Sequence, residues 1–272
     1  MADDVESHYG GDGDLANAIA ESLRRAGKDI ETLTTADLGT VDEFHIRGRK
    51  ATLELAQMLN LSPASHVLDI GSGLGGPART LAETYGCRVT GIDLTQAFCE
   101  AATTLSDWVH LSDRVSFQQG DATDLPFADA AFDAAITIHA GMNIPAKERL
   151  YAEARRVLKP GARFAVYDIL QGEGGELFYP VPWASEPAIS HLATLVAMPP
   201  LLEEAGFRIV DMRDSTEESQ RWFEAMAVRL ERAVPAVTFQ AFLGHDFPLM
   251  ARNQVRNLQD RRIRTVSYIC KA

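Results

Sequence analysis

The stretch His66-Val67-Leu68-Asp69-Ile70-Gly71-Ser72-Gly73-Leu74-Gly75-Gly76-Pro77 decides how the rest of the chain is read. A short apolar run bounded by turn residues marks a buried parallel strand, and glycines crowded at its carboxyl end mark a tight turn into a helix. Gly71 and Gly73 lack a Cβ, so a ligand can approach the main chain there, and the N–H groups of a helix entered at Gly75 would face that ligand. Gly71, Gly73 and Gly76 also satisfy the G-x-G-x-x-G pattern of dinucleotide-binding folds. Asp69 weighs against a dinucleotide: a carboxylate just before the turn disfavours a nearby pyrophosphate and suits a ligand that carries positive charge.

Beyond the turn, Ala78 to Tyr85 predicts a crossover helix stopped at Gly86, and Arg88-Val89-Thr90-Gly91-Ile92-Asp93 a second strand. Asp93 lies where an acidic side chain at a strand end can hold a ribose diol. The pattern continues with a helix from Thr95 to His110, a third strand from Arg114 to Gln119, then Gly120-Asp121-Ala122-Thr123-Asp124-Leu125-Pro126-Phe127. A fourth, apolar and β-branched strand from Ala134 to Ile138 ends at His139-Ala140-Gly141-Met142-Asn143. A helix from Ala146 to Leu158, the stop Lys159-Pro160-Gly161 and a fifth strand from Arg163 to Ile169 follow.

In this order, from about Val67 to Ile169, these motifs resemble the class I methyltransferases that use S-adenosylmethionine. The small-molecule branch is the most similar: ubiquinone/menaquinone-type and sarcosine-dimethylglycine-type enzymes and natural-product O-methyltransferases. The resemblance implies a Rossmann-like α/β fold with a seven-stranded, mostly parallel sheet and helices on both faces. It implies S-adenosylmethionine as cofactor, leaving as S-adenosylhomocysteine, held by Asp69, Gly71, Ser72, Gly73, Asp93, Leu94, Asp121, Ala122 and Thr137. Asp121 would accept from the adenine amino group and the Ala122 N–H would meet a ring nitrogen. The methyl acceptor lies at the end of strand four in this family, which makes His139 the candidate general base. Asp168, near the end of the neighbouring strand, is expected to accept from one ring nitrogen and leave the other free to take a proton. Phe44, His45, Met142, Asn143 and Trp183 are the candidate substrate-binding residues. Two other classes share part of the pattern. An NAD-dependent oxidoreductase would leave Asp69 and the Gly120–Phe127 element unexplained, and a non-catalytic cofactor-binding module would need no base.

A formal net charge of −12 over 272 residues disfavours a nucleic-acid substrate, and the fourth strand lacks the Asn/Asp-Pro-Pro-Tyr tetrapeptide of nucleobase methylation. A small-molecule acceptor is expected. Cys87, Cys99 and Cys270 form no metal or disulfide pattern, the histidines lack metal spacing, and no metal is expected. The sequence shows no membrane span and no basic signal flank, so a cytoplasmic location is expected, with room for a homo-oligomer.

Residues 1–46 read as an N-terminal lid segment: an acidic, glycine-rich, unordered start to about Gly13, then Asp14 capping a helix through Leu15, Ile19 and Leu23, and extending toward Ile30. Residues 47–272 read as the methyltransferase domain, whose first helix, after Gly48, turns Leu53, Leu55, Met58 and Leu59 inward. Residues 171–194, rich in glycine, proline and aromatics, read as a cap insertion after strand five. A helix at Pro199–Ala205, a strand at Phe207–Met212, a helix at Glu217–Val234, a further segment from Phe239 to Leu258 and a last strand at Arg262–Cys270 complete the expectation.

Overall fold

The structure, a computed structural model, describes residues 15–232 and 245–272. The unordered start, the Asp14 cap, the last two residues of the helix expected to reach Val234 and the beginning of the segment from Phe239 lie outside these residues. The glycine stretch opens as expected: β1 (His66–Ile70) enters its turn, and α4 (Gly76–Tyr85) follows. β1 pairs in parallel with β2 (Arg88–Asp93) on one side and β4 (Phe132–Ile138) on the other. With β3 (Val115–Gln119), β5 (Leu158–Gln171), β6 (Arg208–Asp214) and β7 (Ile263–Lys271) they form a seven-stranded sheet in the order β3-β2-β1-β4-β5-β7-β6. β7 runs antiparallel to both of its neighbours. The strand order reverses between β1 and β4, the position at which open α/β sheets hold ligands beyond their carboxyl ends.

Helices cover both faces. One core layer, around Leu68, Ile70, Phe164 and Val166, packs against α6 (Lys147–Val157) and α7 (Met198–Glu204). The other, around Val67, Val89, Ile136, Ala165 and Tyr167, packs against α3 (Gly48–Gln57) and α4. Burial of each such aliphatic side chain is worth about 1.5–3 kcal/mol. Because side chains alternate along a strand, Tyr167 and Asp168 point to opposite layers.

The N-terminal segment is sewn into this framework. α1 (Leu15–Arg25) buries Ile19 and Leu23 in a third cluster with Leu38, Val41 and Leu74, and with Phe98, Ala101 and Leu105 of α5 (Gln96–Trp108). The short α2 (Thr35–Leu38) carries a capping box between Thr34 and Asp37. Arg79 of α4, fully buried, binds the Asp42 carboxylate at 2.8 Å, the Ser106 hydroxyl at 2.9 Å and the carbonyls of Ala102 and Leu74. One guanidinium therefore ties the N-terminal segment, the glycine loop and α5 together.

Several boundaries differ from the sequence expectation. α1 stops at Arg25, where Gly27 takes a positive φ of 77°, and Ile30 opens a separate 3-10 turn. Met58 is exposed rather than inward, because α3 ends at Gln57 and the chain leaves the helical track there. The helix stops before Lys159-Pro160-Gly161 as expected, but these residues already belong to the strand: β5 begins at Leu158, paired with Phe132, and its pairing with β4 resumes at Arg163 after an irregularity. The tail supplies α8 (Thr216–Arg232) and α9 (Phe247–Gln259).

Candidate active site

The carboxyl ends of β1, β2 and β4 open into a cavity of about 1110 Å³. The glycine loop forms its floor. Gly71 and Ser72 donate their N–H groups to the Ile92 carbonyl at the end of β2, and the Gly73 N–H reaches Asp93 Oδ2 at 2.8 Å. Gly71 and Gly73 hold φ of 76° and 51°, the left-handed region that glycine enters at no cost. A Cβ on Gly71 would stand 2.3 Å from the Ala140 Cβ, whereas a Cβ on Gly73 would point into open space. The first glycine thus lets the loop touch the chain leaving β4, and the second leaves room for a ligand.

Of the expected cofactor residues, Gly71, Ser72, Gly73, Asp93, Leu94, Asp121 and Ala122 line this one cavity. Asp69 and Thr137 stand behind its wall, 1% and 2% exposed, with Asp69 Oδ2 and Thr137 Oγ1 unpartnered. Burial, reinforced by Glu43 and Asp93, pushes the Asp69 carboxyl up to about 8. Burial also raises Asp93, although its oxygens accept from the Thr95 and Gly73 N–H groups. Asp121 Oδ1 accepts from the N–H and hydroxyl of Thr123, so it caps its own turn while lining the cavity.

Phe44, His45, Met142, Asn143 and Trp183 line the same cavity. Asn143 Nδ2 donates to the carbonyls of Trp183, at 2.7 Å, and Ile189, at 3.0 Å. Its amide clamps the insertion after β5 against the end of β4. Trp183 is 1% exposed and donates to Ser190 Oγ.

His139 leaves β4 with φ of 52°, rare for a residue with a side chain, and lines the cavity. Its ring lies 4.8 Å from that of Tyr167, and its Nε2 is buried without a partner. Burial and the neighbouring His45 hold it well below the ordinary imidazole value of 6.5. The expected hydrogen bond to Asp168 is not formed. His139 packs on the Tyr167 face of β5, and the pleat turns Asp168 to the opposite face. There Asp168 accepts from the N–H groups of Ile169 and Met142, lies close under Gly141, and feels Lys147. Burial pushes Asp168 up to about 7. Its place is under the turn Gly141–Asn143, outside the cavity lining.

Sequence reasoning did not assign the outer wall. Trp222, Phe223 and Met226 of α8, Phe247 and Val255 of α9, and Ile189 face the cavity. The aromatic pair Trp222-Phe223 was the available signal, in a helix that follows the sixth strand. Among the described residues no group of three His, Cys, Asp or Glu could hold a metal, and no helix is long and apolar enough to cross a membrane.

Residues 68–166 match the family described as a methyltransferase domain. The O-methyltransferase resE of Aspergillus sclerotiorum is 30% identical over 210 residues, covering 73% of this chain and 76% of that protein. The chain belongs to the S-adenosylmethionine-dependent methyltransferases. A second relative of this methyltransferase is the sterol 24-C-methyltransferase ERG6B of Gibberella zeae, 41% identical over 116 residues, or 43% of this chain; the match spans only 30% of that protein's length. The solved structure of a geranyl diphosphate methyltransferase in complex with SAM has the same fold, with TM-score 0.67 and 19% identity over 97% of this chain and 94% of that one. The family's cofactor suits the residues present. The cavity offers a ligand the open space at Gly73 and the lining residues Ser72, whose Oγ has no partner, and Asp93, while the unpartnered Asp69 Oδ2 and Thr137 Oγ1 lie buried behind that wall.

Proposed function

We propose that this methyltransferase acts on a small, largely apolar acceptor through a hydroxyl or another group that must lose a proton, and that His139 takes that proton. The reading rests on one observation: a buried imidazole at the end of β4, its Nε2 unpartnered, in a cavity shared by the glycine loop and the apolar wall of Trp183, Ile189, Trp222 and Phe223. Gly71, Ser72 and Gly73 would hold the methionine part of the cofactor, with Asp69 and Thr137 supporting it from behind the wall, Asp93 and Leu94 the ribose, and Asp121 and Ala122 the adenine. S-adenosylmethionine supplies a methyl group already made electrophilic by its sulfonium, so the protein contributes alignment and a proton acceptor. Protonation of His139 restores the positive charge that the site loses with the sulfonium, so the charge of the closed site stays constant. The net charge of −12 supports a small-molecule acceptor over a nucleic acid. Residues 15–46, with Phe44 at the cavity, would act as a lid.

Thermal unfolding with S-adenosylmethionine, S-adenosylhomocysteine and NAD tests the cofactor: the first two should raise Tm and NAD should not. Release of S-adenosylhomocysteine is then measured with a panel of phenols, aliphatic alcohols and amines of rising size. Turnover confined to hydroxyl acceptors supports the reading. Cofactor binding with no turnover of any acceptor would favour a binding module instead. Hydrogen exchange of residues 15–46 should slow when S-adenosylhomocysteine binds; equal protection in both states would remove the lid.

A further inference from the structure

A base needs a fixed tautomer, and Asp168 does not supply it to His139. The polar cluster beneath the N-terminal segment does contain a group whose tautomer is fixed. His45 Nε2 lies 3.0 Å from the Gly48 carbonyl oxygen, which can only accept, so Nε2 carries the proton and Nδ1 is left with a lone pair. Thr52 Oγ1, 3.2 Å from the same nitrogen, donates its own proton to Glu43 Oε2 at 2.7 Å and so turns a lone pair toward His45. Glu43 Oε2 itself stands 3.6 Å from His45 Nε2, and Glu43 Oε1 accepts from Thr80 at 2.6 Å. Glu43, His45, Thr52 and Thr80 are all buried. The His45 ring presents an edge to His139 with centroids 6.0 Å apart, and both rings pack on Tyr167.

We propose that His45, locked by Gly48, Thr52 and Glu43, is the positioning residue for His139: its Nδ1 accepts from the buried Nε2–H of His139 when the cavity closes on its ligands, leaving His139 Nδ1 as the bare proton acceptor. The inference rests on the reading of His139 as base. The rings stand 6.0 Å apart and His139 Nε2 has no partner, and the bond is one that tightens with the reactants, as catalytic hydrogen bonds often do. In the transfer step the acceptor O–H bond breaks, its proton goes to His139 Nδ1, the oxygen forms a bond to the methyl carbon, and the electron pair of the breaking S–CH₃ bond stays on sulfur. His45 gains and loses nothing; its lone pair holds the imidazolium that results.

The test separates the two nitrogens of His45. In His45→Gln the amide can still donate to the Gly48 carbonyl but supplies no acceptor at the place of Nδ1; in His45→Asn the amide oxygen falls near Nδ1 while the bond to Gly48 is lost. The positioning role predicts that His45→Gln lowers kcat by about 10–100-fold, the usual cost of removing a partner that orients a functional histidine. The KM and calorimetric affinity for S-adenosylmethionine should be retained, and His45→Asn should recover part of the loss. A purely structural role predicts the reverse order, with Asn the worse variant, and overturns the proposal. Nitrogen-15 histidine spectra of the S-adenosylhomocysteine complex need no acceptor: the wild type should show His139 protonated on Nε2, and His45→Gln should show a mixture of tautomers. An unchanged His139 signal in His45→Gln overturns the proposal, as does a change produced by Tyr167→Phe and not by His45→Gln. If no acceptor is turned over while the tautomer coupling is present, it is the reading of His139 as a catalytic base that fails.

Discussion

Asp69→Asn should make the ligand-free protein more stable and the cofactor complex weaker, by amounts that depend on pH in a prescribed way. Asp69 is 1% exposed, its Oδ2 has no partner, and its carboxyl is pushed up from 3.8 to about 8 by burial and by Glu43 and Asp93. In the unfolded chain the same carboxyl loses its proton near 3.8. Between 3.8 and about 8 the folded protein holds a proton that the unfolded chain has released, so wild-type stability falls as pH rises through that window. The slope is about 1.36 kcal/mol per pH unit. Asparagine keeps the shape of the protonated acid and has nothing to titrate. The advantage of the variant should vanish near pH 4, reach about 4 kcal/mol at pH 7 as an upper bound, and level off above about pH 8. Urea unfolding of both proteins at a series of pH values from about 5 to about 8 measures it. If Asp69 lies behind the bound sulfonium as proposed, the order should narrow or reverse in the complex, because a carboxylate there favours the cationic cofactor and asparagine does not. A stability difference that is flat with pH, or a variant that is less stable throughout, would refute the reasoning.

Gly73→Val should abolish cofactor binding, because its side chain enters the open space of the cavity, and lower Tm only through the strain of a branched side chain at φ 51°; Gly71→Ala should lower Tm further, since its Cβ at φ 76° would also stand 2.3 Å from that of Ala140. Circular dichroism and calorimetry separate the two outcomes. Asp93→Ala should weaken S-adenosylmethionine binding by about 1.5–3 kcal/mol for each charge-assisted bond lost, and unchanged affinity would remove Asp93 from the site. His139→Ala should lower turnover by about 10²–10⁴-fold with cofactor affinity retained. Because burial holds His139 well below 6.5, wild-type kcat should stay level from neutral pH down past 6.5 and fall only in more acid solution, where the imidazole is protonated. A fall centred on 6.5 or above would point to another base.

The strands and the glycine-loop end of the cavity were legible because their signals are local. Glycines at a turn, an acid at each strand end and a buried apolar run each report on their own few residues, and Gly71, Gly73, Asp93 and Asp121 came together as their spacing implied. The partner of His139 was not legible. Asp168 and Tyr167 are adjacent in the chain and belong to opposite layers, and which of them meets His139 depends on the register of β4 with β5, which pairs Ile138 with Tyr167. A one-residue difference in register exchanges the faces. The outer wall of the cavity was hidden for a similar reason. Trp222 and Phe223 with Met226 have the helical spacing of core residues, and only the placement of α8 and α9 over the carboxyl ends of the strands turns them toward a cavity.

Arg79 bears on where this protein can be cut. Its guanidinium draws its carboxylate from Asp42 and its other partners from Leu74, Ala102 and Ser106, so the segment matched by the family, residues 68–166, contains the cation but not its counter-ion. Splitting a buried ion pair costs about 3–5 kcal/mol, a large share of the whole stability of a domain. The unit that folds on its own therefore begins well upstream of the sequence that defines the family. A truncation made at the family boundary would remove the glycine loop's support along with residues 15–46, and loss of activity in such a fragment would report on Arg79 before it reported on chemistry.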